Sequence, residues 1–422
     1  MTEGARVSPI ASMARLAAAP WRAFLLIFVV HVGIHGFFLA KVRTDLVRPH
    51  TRWEIMAVAM ALHERGEFAD PYCLPTGPTA HMPPFHPFLI AAIYRLLGPT
   101  LAAGYVTWLI LIACNGAMFG MLPWLGGRLG LGREAGLVGG LVGAAVPRWP
   151  GFVEAPSAIA IGLMMVVFLR RWEGRSATAG GSLALGLAIG LALLVAPSLL
   201  PVALGLVAFE LFWLRDRSRR WAALTLLGMA LACTPWTWRN YRALGGLFFV
   251  RSNFGLELRM GNHEGAGANL DLSARGGTER HPRTSEEEAR KVQKVGELPY
   301  MRAAGREAKT WIRSHPGEFL RLTGLRVFQF WFGPLDDRLL ALWTSVLTVL
   351  AAVGVWKVLP LLSVPRRAAI LIPLVAFPLV YYLVGYEWRY RQPMDGITLL
   401  LATRGAAALL GIRTAGEGPR GS

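Results

Sequence analysis

The chain has 422 residues, 54% of them hydrophobic and 17% charged, with a mean hydropathy of +0.42. Its 44 Lys and Arg against 26 Asp and Glu give a net charge of +18 and a pI near 10.8. The length of the apolar runs argues against a soluble domain, since stretches near about 18 residues can cross a hydrocarbon core of about 30 Å. Many arginines sit in short loops between those runs, where the positive-inside bias puts them, and no basic face with interleaved exposed aromatics points to nucleic acid.

Met1 to Arg22 is a basic tail ahead of the first apolar run. No small-residue cleavage pattern follows that run, so an uncleaved first span is expected. Spans are predicted over 23–41, 102–125, 134–148, 153–169, 180–196, 197–214, 221–237, 338–356, 367–385 and 394–411, with 134–148 short and Gly-rich. Pro84 to Gly98, which holds Arg95, and Glu318 to Phe332, with Arg321 and Arg326 at helical spacing, read as amphipathic helices lying in the interface. With both at the outer surface, Arg128 and Arg133, Arg170, Arg171 and Arg175, Arg215 to Arg220, and Lys357 with Arg366 and Arg367 all face the cytoplasm, as do both termini. Two large loops, 43–101 and about 238–337, then share the outer side. The expected organisation is an all-α polytopic bundle of about 10–12 spans. It divides into 1–237, holding the first outer loop, a small helical outer insertion over 238–337, and C-terminal spans over 338–422.

The second loop begins its centre with a Gly-rich stretch, Gly261 to Arg280. Ser285 followed by Glu288 forms a capping box opening a short helix. A second helix is predicted from Leu298 to Ser314, stopped at His315-Pro316.

Three cysteines stand apart: Cys114 and Cys233 in apolar runs and Cys73 in the first outer loop. They form neither a disulfide framework nor a zinc ligand set. His31 and His35 share a face of the first span, but no third ligand lies near in sequence and they read as bundle histidines.

The first outer loop, Arg43 to Phe85, concentrates acids, arginines and histidines directly outside the first span. Glu54 sits at the start of a mostly apolar helix, Trp53 to His63, where a carboxylate can serve as a general base toward an acceptor hydroxyl. Thr51-Arg52-Trp53-Glu54 also has the form of a capping box, which would use the same carboxylate to close the helix start. Asp45 and Asp70 are rivals for the base, and Asp70 before Pro71 also suits a turn. Arg43, Arg48, Arg52 and Arg65 make the loop basic, which suits a phosphate or pyrophosphate or, alternatively, anionic lipid head groups. Arg389-Tyr390-Arg391 caps the outer mouth of the last span. Glu154, in a turn between spans, is an acid at membrane depth with Arg148 as its nearest partner in sequence. His81 and His86 flank Pro83-Pro84. Asn262, in the second outer loop, joins Glu154, His81, His86 and Tyr390 as candidates for the substrate pocket.

Four stretches together resemble membrane-embedded GT-C glycosyltransferases, especially bacterial relatives of the dolichyl-phosphate-mannose protein mannosyltransferases and the lipid A aminoarabinose transferases. They are ALHERGEFADPY; GPTAHMPPFHPFLIAAIYRLLG; PWTWRNYRALGGLFFVRSNFGLELRMGNHEGA with GELPYMRAAGREAKTWIRSHPGEFLRL; and EWRYRQPMDGITLLLA. The resemblance implies a sugar donor on a polyprenyl phosphate and an inverting transfer on the periplasmic face of a bacterial inner membrane. The acceptor would be a lipid, glycan or protein of the envelope. A first-loop carboxylate would act as base: Glu54, with Asp45 and Asp70 kept open. Arg52, Arg389 and Arg391 would hold the donor phosphate. Many relatives open the loop helix with an Asp-Glu pair, where this chain has Thr51-Arg52 and a displaced Glu54. No acidic cluster demands a metal, metal dependence varies across the fold, and no metal ligand is assigned. The alternative is a polytopic lipid or glycan transporter or flippase, which would want charged or broken segments near the midplane and inverted halves.

Overall fold

The computed structural model describes residues 15–146, 151–172, 178–213, 218–270 and 280–412. Regular structure among them is helical, with two isolated β-bridges, Ala69 to Pro78 and Asn269 to Tyr386. The helices are α1 Pro20–Lys41, α2 Thr44–Val47, α3 Glu54–Arg65, α4 Phe85–Leu97, α5 Leu101–Gly120, α6 Leu122–Leu129, α7 Arg133–Ala145, α8 Glu154–Trp172, α9 Ala179–Val195, α10 Leu200–Trp213, α11 Ser218–Leu244, α12 Phe254–Gly261, α13 Glu286–Val295, α14 Glu297–Ser314, α15 Pro316–Phe332, α16 Arg338–Val358, α17 Val364–Ala376, α18 Leu379–Val384 and α19 Gln392–Leu409.

Among the described residues, five helical stretches are long and apolar enough to cross a membrane: Pro20–Lys41, Leu101–Leu129, Glu154–Trp172, Arg338–Leu361 and Val364–Val384. Phe85–Leu97, Ala179–Val195 and Pro197–Trp213 are shorter apolar helices. The Gly-rich span expected at 134–148 is the 13-residue α7, and 147–148 lie outside the described residues. The helix expected over Glu318 to Phe332 forms as α15, but its two arginines part company. Arg321 pairs with Glu318 at the surface, whereas Arg326 is fully buried. Arg326 donates to the carbonyls of Gly261 and Leu383, so helical spacing alone misjudged its depth.

Two crossings show how the bundle closes. α9 packs along α11 and α16 along α19. A Cβ at Gly186 would lie 2.0 Å from the Thr225 carbonyl oxygen, and one at Gly405 2.0 Å from that of Leu350. Small residues let the backbones approach, and dispersion across the close contact supplies the adhesion that water expulsion cannot provide in lipid. α19 is buried along most of its length, from Gln392 to Ala402, and forms the centre of the bundle against α7, α8 and α16.

A buried ionic knot ties four helices. Arg171 on α8 meets Glu210 on α10 at 2.9 Å, with both side chains under a tenth exposed. The same guanidinium donates to Ser182 on α9 at 3.2 Å and Thr225 on α11 at 3.4 Å. Glu210→Ala strands a buried cation and is expected to lower stability by about 3–5 kcal/mol, whereas Arg171→Met/Glu210→Met recovers most of that loss. Thermal unfolding of the purified protein in detergent measures both, and equal losses in the single and double variants would show that the pairing carries no weight.

Candidate functional site

The site lies at the start of α3. The backbone enters extended at Trp53, which is the helix N-cap and makes no side-chain cap bond. The capping box expected from Thr51 is therefore not formed. Glu54 is the first helical residue, and its carboxylate is turned to other partners. α3 buries Met56, Ala57, Val58, Ala59, Ala61 and Leu62, so its packing orients the helix while Glu54 sits at its rim. Glu54 Oε1 lies 3.7 Å from Arg283 Nε and 3.9 Å from His281 Nε2.

His281 and Arg283 come from a turn just ahead of α13. The His281 carbonyl accepts from the amides of Thr284 and Ser285, and Ser285 caps α13 by accepting from the Glu288 amide, as its sequence pattern predicts. The Cys73 thiol and amide both donate to the Pro282 carbonyl, tying this turn to the first loop. His81 is 1% exposed, and its Nδ1 lies 3.1 Å from the Tyr72 hydroxyl. The rings of Tyr72, His81 and His281 meet edge to face, with centroids 5.2 to 6.0 Å apart. Burial pushes His281 down to about 4 despite the Glu54 carboxylate, and drives His81 well below the usual histidine range, helped by Arg251, His281 and Arg283. Both rings are therefore neutral at physiological pH. Glu54, His81 and His281 each offer a ligand atom, all within 4.8 Å of one another, so these are the residues that could hold a metal ion.

A second group faces the same region. Glu257, near the start of α12, accepts from Asn253 Nδ2 at 2.6 Å and lies 3.8 Å from Arg251. Its pKa is raised by burial and by the Glu54 charge, with Arg251, the Asn253 amide and Arg389 acting the other way. Arg389 pairs with Glu387 at 2.7 Å, stands 3.9 Å from Glu154, and keeps 42% of its side chain exposed. Tyr390 stacks on Tyr381, centroids 4.5 Å apart, with Arg389 over its ring.

Two buried carboxylates lock these polar segments together. Glu297 accepts from the Ala80 amide at 2.8 Å, Ser252 Oγ at 2.6 Å and Thr79 Oγ1. Arg251 Nε adds a bond to the His81 carbonyl at 2.6 Å. Glu288 accepts from Arg259 and Lys291, each at 2.8 Å, and from the Tyr300 hydroxyl.

The other residues singled out in sequence scatter. Asp45 is exposed and paired with Arg43 at 3.0 Å. Asp70, at φ 56°, closes its own loop by accepting from the Thr76 and Gly77 amides at 2.8 Å and pairing with Arg65. Arg52 is exposed, two residues from Glu54, and its amide donates to His50 Nδ1 at 3.3 Å. Arg391 is buried and donates to Asp395 at 2.7 Å and Thr348 at 3.3 Å. His86 is buried between the rings of Phe85 and Phe152. Asn262 is fully buried, bonding the Leu258 and Leu383 carbonyls and accepting from Arg326. Glu154 opens α8 beside Arg389, and Arg148, its sequence-proposed partner, lies outside the described residues. Of the residues named from sequence, Glu54 and His81 meet at one place and Arg389, Glu154 and Tyr390 at a neighbouring one. Tyr72, Arg251, Glu257, His281 and Arg283 complete the site without having been read in sequence. A His-Pro-Arg run after a Gly-rich stretch was legible, but nothing in its spacing ties it to Glu54.

No protein-family model, no curated protein and no solved structure matches the chain.

Glu288 provides a pH test of the lock. Burial would raise its pKa, but the Lys291, Tyr300 and Arg259 bonds outweigh it and hold the carboxyl down to about 2, against 4.5 unfolded. A depressed carboxyl stabilises the fold above its unfolded pKa and loses that contribution as pH falls toward the folded one. Glu288→Gln is expected to lower stability by about 2 kcal/mol at pH 7, with the deficit shrinking below about pH 4.5. Unfolding midpoints of both proteins across pH 3 to 8 check this, and a deficit independent of pH would assign the effect to packing alone.

Proposed function

We propose that the chain is an integral membrane glycosyltransferase, similar in design to the GT-C enzymes. It moves a sugar from a polyprenyl-phosphate donor to an envelope acceptor on the periplasmic side of a bacterial inner membrane. The observation that carries this reading is a rim carboxylate, Glu54, set beside the Arg283 guanidinium, with Arg251 bonded to the carbonyl of the neighbouring His81 and a part-exposed Arg389 beside Glu154. Five helices of spanning length and apolar composition suit a donor whose lipid tail stays in the bilayer.

The chemistry is an inverting displacement. The acceptor oxygen bonds to the anomeric carbon as Glu54 takes its proton, and the bond from that carbon to the donor phosphate oxygen breaks. The polyprenyl phosphate leaves with one more negative charge than it carried as a diester. Guanidinium donors match those oxygens and stabilise the charge as it develops. Arg389 is suited to this because part of its side chain is open. Arg391, enclosed with Asp395, supports the last helix. Tyr390 and Tyr381 offer a stacked aromatic wall, and Glu154 and Glu387 hold Arg389 in place.

One observation favours the rival reading as a lipid or glycan flippase. The apolar stretch Val364–Val384 is broken at Phe377-Pro378, between α17 and α18, and broken helices recur in transporters.

Purified protein incubated with radiolabelled polyprenyl-phosphate mannose or aminoarabinose and envelope lipid and glycan extracts separates the two. Transfer of label is expected. Glu54→Gln should lower kcat by about 10²-fold or more, and Arg389→Gln should lower kcat/KM by about tenfold or more. Normal transfer by Glu54→Gln would remove it as the base. Movement of labelled lipid across liposomes without any transfer would favour the flippase.

A further inference from the structure

We infer that His281 is a positioning residue for Glu54: held as its Nε2–H tautomer by the backbone, it donates to Oε1 and leaves Oε2 to take the acceptor proton. This rests on the reading of Glu54 as base.

The tautomer follows from one hydrogen bond. The Arg283 amide donates to His281 Nδ1 at 3.0 Å. A backbone amide has only a donor, so Nδ1 must present its lone pair, and the single proton of a neutral imidazole then resides on Nε2. Nε2 is the atom that faces Glu54, 3.9 Å from Oε1. Arg283 Nε approaches the same oxygen at 3.7 Å. Both separations exceed hydrogen-bond length and close with a shift of about 1 Å, as catalytic contacts often do when substrate arrives.

The surroundings keep the ring neutral and fixed. Besides Arg283 on its own turn, it faces Glu54 from α3, Arg259 from α12, Glu288 from α13, and Tyr72 and His81 from the first loop. The Arg283 amide at Nδ1 leaves the ring its single proton on Nε2, and burial, which lowers its pKa, acts in the same direction. The Pro282 carbonyl is pinned to Cys73 and the His281 carbonyl to the Thr284 and Ser285 amides, which holds the backbone of the turn in place.

The same three residues suggest a metal, and the geometry weighs against it. A ligating Nε2 needs a lone pair, which this tautomer lacks.

The test uses the full chain, with radiolabelled polyprenyl-phosphate mannose and aminoarabinose as donors. His281→Phe is expected to lose about 30-fold or more in kcat with donor KM within about twofold. His281→Gln places an amide N–H near the site of Nε2–H and should stay within about fivefold of wild type. Equal losses in the two variants, or an unchanged kcat in His281→Phe, would overturn the assignment. A second readout needs no turnover. Nitrogen-15 spectra of histidine-labelled protein, assigned by difference against His281→Phe, should show the Nε2–H tautomer and a shift of that signal in Glu54→Gln. An Nδ1–H tautomer, or one equivalent of bound zinc that His281→Phe loses, would refute the assignment. If wild type transfers neither sugar, the glycosyltransferase reading loses its support, and the spectra alone decide the contact between His281 and Glu54.

Discussion

The buried carboxylate of Glu297 ties the start of α14 to a segment 217 and 218 residues earlier in the sequence. It accepts from Thr79 and Ala80 in the first polar loop and from Ser252 in the second. Burial raises its pKa, and the hydrogen bonds from Ser252, Thr79 and Ala80 act against that rise without cancelling it. A carboxylate so deep would be unfavourable with its donors missing, so the bonds form together or not at all. Arg239 reinforces the junction, donating to the Thr79 and Phe68 carbonyls at 2.5 and 2.7 Å. Because this clasp fixes the second loop over the first, the turn carrying His281 and Arg283 comes to rest against the start of α3.

Below the clasp, the bundle performs a different task. Its helices meet through glycine crossings and the Arg171 knot, which in an apolar environment fix geometry more than water expulsion can. α19 occupies the centre and carries Asp395, which pairs with Arg391 at the helix N-cap. The Trp388–Arg391 turn just before it presents Arg389 near Glu154 and the stacked tyrosines. The site is thus assembled from elements that are each stabilised for structural reasons: a helix start, a capped turn and the mouth of the central helix.

The sequence made the long spans legible, because run length is a direct consequence of membrane thickness. It made the first polar loop legible as chemically dense, and Glu54 with it. Depth was not legible. Arg326 and Arg391 carry the same formal charge as Arg389, yet one is enclosed by carbonyls and the other by Asp395 and Thr348. Asn262 looked available in a polar loop, but its amide is consumed by three internal bonds. Nor could helix capping be judged from spacing: Thr51 and Glu54 stand three apart, but the helix begins at Glu54 itself. Contacts between remote loops have no periodicity, so His281, Arg283 and Glu257 could only emerge in three dimensions.

The central claim is that the donor phosphate and Glu54 share one crevice at the outer end of the bundle. A cryo-EM structure of the protein with polyprenyl phosphate bound tests it most directly. The account predicts phosphate density against the Arg389 guanidinium, with the Glu54 carboxylate facing the space where the anomeric carbon would sit and the lipid tail running down into the bundle. Phosphate at the opposite end of the helices, or a Glu54 side chain walled off from it, would contradict the account.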